Sequence, residues 1–204
     1  MSSMDEKYKT IVADPPWPYS SPKAVVGNAG RGSQDGRAAA IIQANVEQHY
    51  STMTIVDLKN LDVVSLAADN AHLYLWVTNS FLVEGHEIAR SWGFKPKTLL
   101  TWVKVPKSGE FVPSRKTGYW FRSATEHILF CVRGSLRLQR KDAIATWFAA
   151  PRLPHSVKPN ISYQLIESCS PEPRLEMFAR RGRLGWDSWG NEVKSHIEIG
   201  GRSE

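Results

Sequence analysis

Cysteine is scarce in this chain: Cys131 and Cys169 are the only two in 204 residues, and neither belongs to a Cys-x-x-Cys pair. A disulfide framework and a cysteine-based zinc site are therefore excluded. The six histidines, His49, His72, His86, His127, His155 and His196, fall at no metal-ligand spacing, so no metal is expected. His72 and His127 lie in apolar runs and read as buried, hydrogen-bonded residues. Long hydrophobic runs are lacking too. None approaches the roughly 20 residues of a membrane span. The polar stretch from Met1 to Lys9 has no signal-peptide core. These absences predict a cytoplasmic protein, of a bacterium or, for a phage gene, of its host. No repeat and no second compositional block is present. One domain over residues 7–194, followed by a tail at 195–204, is expected.

What is present is a modest basic excess, +6 in formal charge, unevenly spread. Lys104, Lys107, Arg115, Lys116 and Arg122 share one stretch with only Glu110 against them, and Arg133, Arg137, Arg140 and Lys141 form a second. Such stretches suit phosphate contacts, with a solvated surface as the alternative. Among the basic residues, just before Arg122 and ahead of the second stretch, stand Tyr119 and Trp120, placed for base stacking.

Apolar runs alternate with amphipathic ones. Strands are expected at residues 8–13, 71–78, 97–104, 125–132 and 174–179. Helices are expected at 54–68, 80–92 and 159–168, the last beginning with a proline. Thr54 and Asp57 resemble a capping box. Alternation at this spacing predicts an α/β sheet with helices on both faces. Residues 18–48 carry Gly27, Gly30, Gly32 and Gly36 among Ser, Asn and Arg, which predicts a flexible Gly-rich insertion loop, with a short helix at 37–47.

The chemistry concentrates in Asp14-Pro15-Pro16-Trp17, at the end of the first strand. Ligands of open α/β sheets bind beyond the carboxyl ends of the strands. Two prolines fix φ and carry no N–H, so their carbonyls are rigidly aimed acceptors. A carboxylate and a carbonyl side by side match the two N–H donors of an adenine amino group, and Trp17 offers a flat surface for an extruded base. That amino nitrogen is a poor nucleophile because its lone pair is delocalised into the ring. Two acceptors on its hydrogens favour a pyramidal nitrogen and stabilise the charge that grows during alkylation.

Asp-Pro-Pro-Trp followed by this ordered string of elements resembles the adenine methyltransferases named after the seventy-kilodalton subunit of the eukaryotic mRNA enzyme, the MT-A70 family. The resemblance runs through Tyr50-Ser51-Thr52-Met53, Leu75-Trp76-Val77-Thr78, Trp92-Gly93-Phe94 and Trp102-Val103-Lys104. It continues through Thr117-Gly118-Tyr119-Trp120, Glu126-His127, Ser156-Val157-Lys158-Pro159 and Phe178-Ala179-Arg180-Arg181 to Trp189-Gly190-Asn191-Glu192. It implies a Rossmann-like methyltransferase sheet of permuted order, with the catalytic motif before the cofactor motif. It also implies S-adenosylmethionine as cofactor. Cofactor contacts carry over to Lys158, Phe178, Arg180, Asn191 and Glu192, with Asp14 and Pro15 near the methyl group. Asn191 and Glu192 suit the two ribose hydroxyls, and Lys158 suits a carboxylate.

The resemblance has gaps. No Gly-x-Gly cofactor loop is present. Arg181, Gly182 and Arg183 stand where the mRNA enzyme has Pro-His-Asn. The short chain, with Gly185 to Glu192 near its end, looks like the bacterial and phage branch, which usually modifies DNA. The expectation is adenine-N6 methylation of DNA. The alternatives are RNA as substrate, or a catalytically silent nucleic-acid-binding partner. A silent copy would be expected to lose Asp14 or Asn191, and both are present. Tyr50, Lys104, Arg115, Lys116, Tyr119, Trp120, Arg137, Arg140 and Lys141 are the expected nucleic-acid contacts. A homodimer is compatible with all of this.

Overall fold

The structure, a computed structural model, describes residues 7–19, 52–108, 123–154 and 157–201. The expected helix at 37–47, nearly all of the Gly-rich loop, Tyr50, Arg115, Lys116, Tyr119 and Trp120 lie outside the described residues.

Seven strands form one sheet in the order β5-β3-β4-β2-β1-β6-β7. They are β1 (Tyr8–Ala13), β2 (Ala67–Val77), β3 (Lys95–Val105), β4 (Thr125–Arg133), β5 (Trp147–Pro151), β6 (Arg174–Met177) and β7 (Asp187–Trp189). Only β4 runs against the others. The six parallel strands thus end at the edge where β4 begins. β1 lies between β2 and β6, and Ile11, Val12 and Ala13 are buried, as a strand covered on both faces requires. Asp14-Pro15-Pro16 ends it, because proline cannot donate to a ladder.

Among the described residues four α-helices cover both faces, as the alternation predicts. On one face α1 (Ile55–Asn60), α2 (Val63–Leu66) and α3 (Leu82–Ser91) enclose Ile11, Leu58, Val63, Leu73, Ile88 and Trp92. On the other, α4 (Asn160–Cys169) covers Val12, Tyr74, Trp76, Trp102 and Ile128 through Tyr163 and Ile166.

The single helix expected at 54–68 is two helices. Its capping box is present: Asp57 N–H donates to Thr54 Oγ1 at 3.1 Å and Thr54 N–H to Asp57 Oδ2 at 3.3 Å. The helix breaks at Leu61, whose backbone is extended, and Asp62 caps the second piece by accepting from Ser65 N–H. The C-terminal segment holds that break open. Leu61 bridges Gly201, and Asp62 N–H donates to Gly200 O at 3.0 Å. Pro159 is the N-cap of α4 rather than its first helical residue. Gly93, at φ +82°, follows the C-cap of α3 and ends it, close to the boundary expected at residue 92. β5 and β7, five and three residues long, were not expected; runs so short show no alternation.

Candidate active site

Asp14 follows β1 at the edge where the parallel strands end. Lys158, in the connection from β5 to α4, points back to it. Lys158 Nζ lies 3.0 Å from Asp14 Oδ2 and 3.1 Å from Glu126 Oε2. The other oxygen of Glu126 takes Lys104 Nζ at 2.5 Å. Four alternating charges therefore form one chain across β1, β4 and β3, all of them largely buried. Indole faces support both cations: Lys158 lies 4.8 Å from the Trp76 ring and Lys104 5.0 Å from Trp102.

Burial raises the pKa of Asp14. Lys158 offsets part of the rise, and the negative charge of Glu126 adds to it. Burial also works against the charge on Glu126 and on Lys158, but their opposite partners prevail. Glu126 is held below the ordinary carboxylate range and Lys158 above the ordinary lysine value. Asp14 is the strained member of the chain. Lys158 occupies its Oδ2, and among the described residues Oδ1 takes no hydrogen bond.

The motif's backbone is pinned. Pro15 O accepts from Trp17 N–H at 2.9 Å, and Pro16 O from Met53 N–H at 3.1 Å. Each carbonyl retains a second lone pair. Trp17 departs from the expectation of a base platform. It is 4% exposed, donates its indole N–H to Trp76 O at 3.2 Å and stacks on Phe81 at 5.0 Å. Its ring holds the motif to β2.

A second group of residues lies beside β1, where β6 and β7 end. Phe178 turns the chain at φ +61° and meets Trp189 edge to face. Arg180 lies 3.8 Å from Glu192, and its charge acts on Asp14. Gly190 permits a close approach: a Cβ there would sit 2.2 Å from Ala179 O. That contact sets the turn from which Asn191 and Glu192 project into solvent. Arg183 lies over the Tyr163 ring and donates to Asn160 Oδ1 at 3.0 Å, tying the β6–β7 loop to α4. Tyr163 donates to Glu176 Oε1 at 2.6 Å.

The MT-A70 family pattern matches residues 8–192 of the chain. The chain belongs to the MT-A70 family. The Type II methyltransferase M.MunI of a Mycoplasma species is 30% identical over 198 residues, 95% of this chain and 82% of that protein. A probable N(6)-adenosine-methyltransferase MT-A70-like protein of Oryza sativa subsp. japonica is 28% identical over 92% of this chain. The human N(6)-adenosine-methyltransferase catalytic subunit METTL3 is 26% identical over the same share. The chain spans only 23% and 28% of those two proteins' lengths.

As a member of MT-A70, the chain is an S-adenosylmethionine-dependent methyltransferase. Its residues fit that group chemically. A lysine at the centre of the site suits a carboxylate, an exposed amide and carboxylate at one turn suit a diol, and Phe178 adds a half-buried apolar ring.

The structure separates the expected nucleic-acid contacts. Lys104 is at the site, bound to Glu126. Arg137, Arg140 and Lys141 follow the far end of β4, where Leu136 O contacts His72 and Gln139 N–H donates to Cys169 O. That is the opposite edge of the sheet, about 20 Å along β2 from Asp14. Arg140 is also paired with Asp142. This second stretch, expected to contact phosphates, therefore leaves the sheet at the edge away from Asp14.

The sequence reading missed Glu126 as the link between two lysines. A carboxylate opening an otherwise apolar strand was the available signal. His127, expected to be buried and hydrogen-bonded, is hydrogen-bonded but not fully buried. His127 is half-buried at the rim, where Nε2 donates to Asn79 Oδ1 at 2.6 Å and Nδ1 contacts Thr101 Oγ1.

Proposed function

We propose that the chain transfers a methyl group from S-adenosylmethionine to the N6 amino group of adenine in DNA. The observation that carries this reading is Asp14: a desolvated carboxylate with one oxygen taken by Lys158, next to the rigid Pro15 carbonyl. S-adenosylmethionine supplies an electrophilic methyl on a sulfonium. The protein's own part is to prepare the nitrogen. Asp14 Oδ1 and Pro15 O accept the two amino hydrogens and favour a pyramidal nitrogen. The same acceptors stabilise the positive charge as it develops, in a site that already excludes most water. Asp14 takes a proton only after the new bond begins to form. Lys158 and Arg180 favour the ionised form of Asp14 and offset part of the effect of its burial.

In this reading Asn191 and Glu192 hold the ribose, Lys158 the cofactor's carboxylate, and Phe178 and Arg180 the neighbouring surface. Residues 7–194 act as one methyltransferase domain. Arg115 and Lys116 contact phosphates from the connection between β3 and β4, both of whose ends lie at the active edge. Lys104, Tyr50, Tyr119 and Trp120 go with the same surface. DNA is favoured over RNA because the Mycoplasma relative matches over most of its own length, whereas the N(6)-adenosine methyltransferases match over about a quarter. A cytoplasmic location and a homodimer accompany the reading, and sedimentation of the purified protein decides the second.

The test is transfer of label from methyl-labelled cofactor to matched single-stranded DNA, duplex DNA and RNA, followed by digestion to nucleosides. Labelled N6-methyldeoxyadenosine is expected. Label confined to RNA would replace DNA by RNA, and label on another base would remove the adenine assignment.

A further inference from the structure

The burial of Trp17 leaves the site without the base platform its motif suggests, and the same segment supplies another. Tyr19 is two residues further on and 55% exposed. Its position is fixed by the chain itself. Prolines occupy positions 15, 16 and 18. Trp17 N–H donates to Pro15 O at 2.9 Å, and Tyr19 N–H to Trp17 O at 2.8 Å. These are two successive three-residue turns, each with a proline at its centre, where the fixed φ suits the turn. The Tyr19 ring meets Phe81 in a T-shaped contact, at 5.1 Å and 78°, and more than half of the residue stays open to solvent. Its hydroxyl donates to Thr78 Oγ1 at 3.0 Å, which fixes the ring's tilt. Thr78 follows β2 directly, and β1 pairs with β2 with Ala13 opposite Leu75, so the hydroxyl is held at the edge of the sheet where Asp14 follows β1.

Among the described residues the only other well-exposed aromatic is Trp147. It stands on β5, four strands from β1, or about 19 Å across the sheet. It cannot reach a base held at Asp14.

We propose that Tyr19, and not Trp17, is the aromatic surface on which the target base rests while Asp14 and Pro15 hold its amino group. This rests on the reading of the chain as a methyltransferase of a nucleic-acid base. Trp17 is then a positioning residue that anchors the turns, and Tyr19 the residue that touches substrate.

The test takes an oligonucleotide whose methylated adenine has been mapped with the wild-type enzyme; if no adenine is methylated, the functional reading fails before Tyr19 is examined. The mapped adenine is then replaced by 5-iodouracil, and the crosslink formed on irradiation is located by mass spectrometry. A crosslink at Tyr19 is expected; one at Trp17 or at another aromatic residue overturns the proposal. In parallel, Tyr19→Ala is expected to lower kcat/KM for the oligonucleotide by about 5- to 150-fold, the scale of one base–aromatic stack. Cofactor affinity should stay unchanged, and Tyr19→Phe should recover most of the loss. If Tyr19→Ala leaves kcat/KM intact, or Tyr19→Phe is as damaging as Ala, the ring is not the platform.

Discussion

Asp14 sits where burial opposes its charge, and Lys158, Arg180 and Glu126 decide how far it stays ionised. A neutral carboxyl accepts more weakly and no longer offsets the positive charge growing on nitrogen, so methylation should slow as pH falls through the Asp14 pKa, which lies above the ordinary aspartate value. The charge of Glu126 contributes to that rise. Glu126→Gln should therefore move the acid limb of the pH–rate profile to lower pH, and an unmoved or raised limb would show that Glu126 does not act on Asp14. Asp14→Ala should abolish turnover while cofactor binding largely survives. Asp14→Asn keeps one acceptor oxygen and should retain a rate some 10²–10³-fold below wild type, the scale of removing one preorganised electrostatic partner. Single-turnover methylation with parallel calorimetry of cofactor binding separates the two effects. Asp14 was legible in the sequence because its motif is local. The Glu126–Lys158 link was not, since the sheet order brings those residues together from different elements. Trp17 was misjudged for a similar reason: its burial is set by Trp76 and Phe81 on another strand and its following turn.

The long strands and helices were legible from their periodicity, and the errors came where local pattern yielded to tertiary contacts. Residues 54–68 read as one helix because nothing local announces that Gly200 and Gly201 will pair with Asp62 and with an extended Leu61. β7 was missed because three residues have no period, yet it positions Asn191 and Glu192. Its exit turn depends on Gly190, which packs on a backbone that is itself hydrogen-bonded, Ala179 N–H to Trp189 O at 2.9 Å. Gly190→Ala must displace that backbone. It should cost about 1–3 kcal/mol, as overpacking does, and weaken cofactor binding by moving the turn. Gly182→Ala, with nothing within 4 Å of its added carbon, is the control and should change neither. Denaturant melts and cofactor titration of both variants make the comparison. If Gly190→Ala bound cofactor as wild type does, the turn would not be part of the site.

At the scale of the whole molecule, the candidate site lies at one edge of the sheet, and the chain carries a net charge of +6. Composition could not divide that charge, because the two basic stretches look alike in sequence. The strand directions do divide it. Lys104 and the connection between β3 and β4 leave from the active edge, while Arg137 and Lys141 follow β4 out of the opposite one. A short duplex gripped at Asp14 would have to reach some 20 Å down the sheet to meet them. Each phosphate neutralised on duplex DNA contributes about 0.9 to the slope of log affinity against log salt. Charge reversal at two phosphate-binding residues would therefore flatten that slope by about 1.8. The double variant Arg137→Glu, Lys141→Glu is expected to leave both affinity and slope unchanged on a short oligonucleotide. Arg115→Glu with Lys116→Glu should weaken binding and flatten the slope. If the first pair flattened it instead, nucleic acid would follow a path around the sheet to its far edge, and both basic stretches would belong to one binding surface after all.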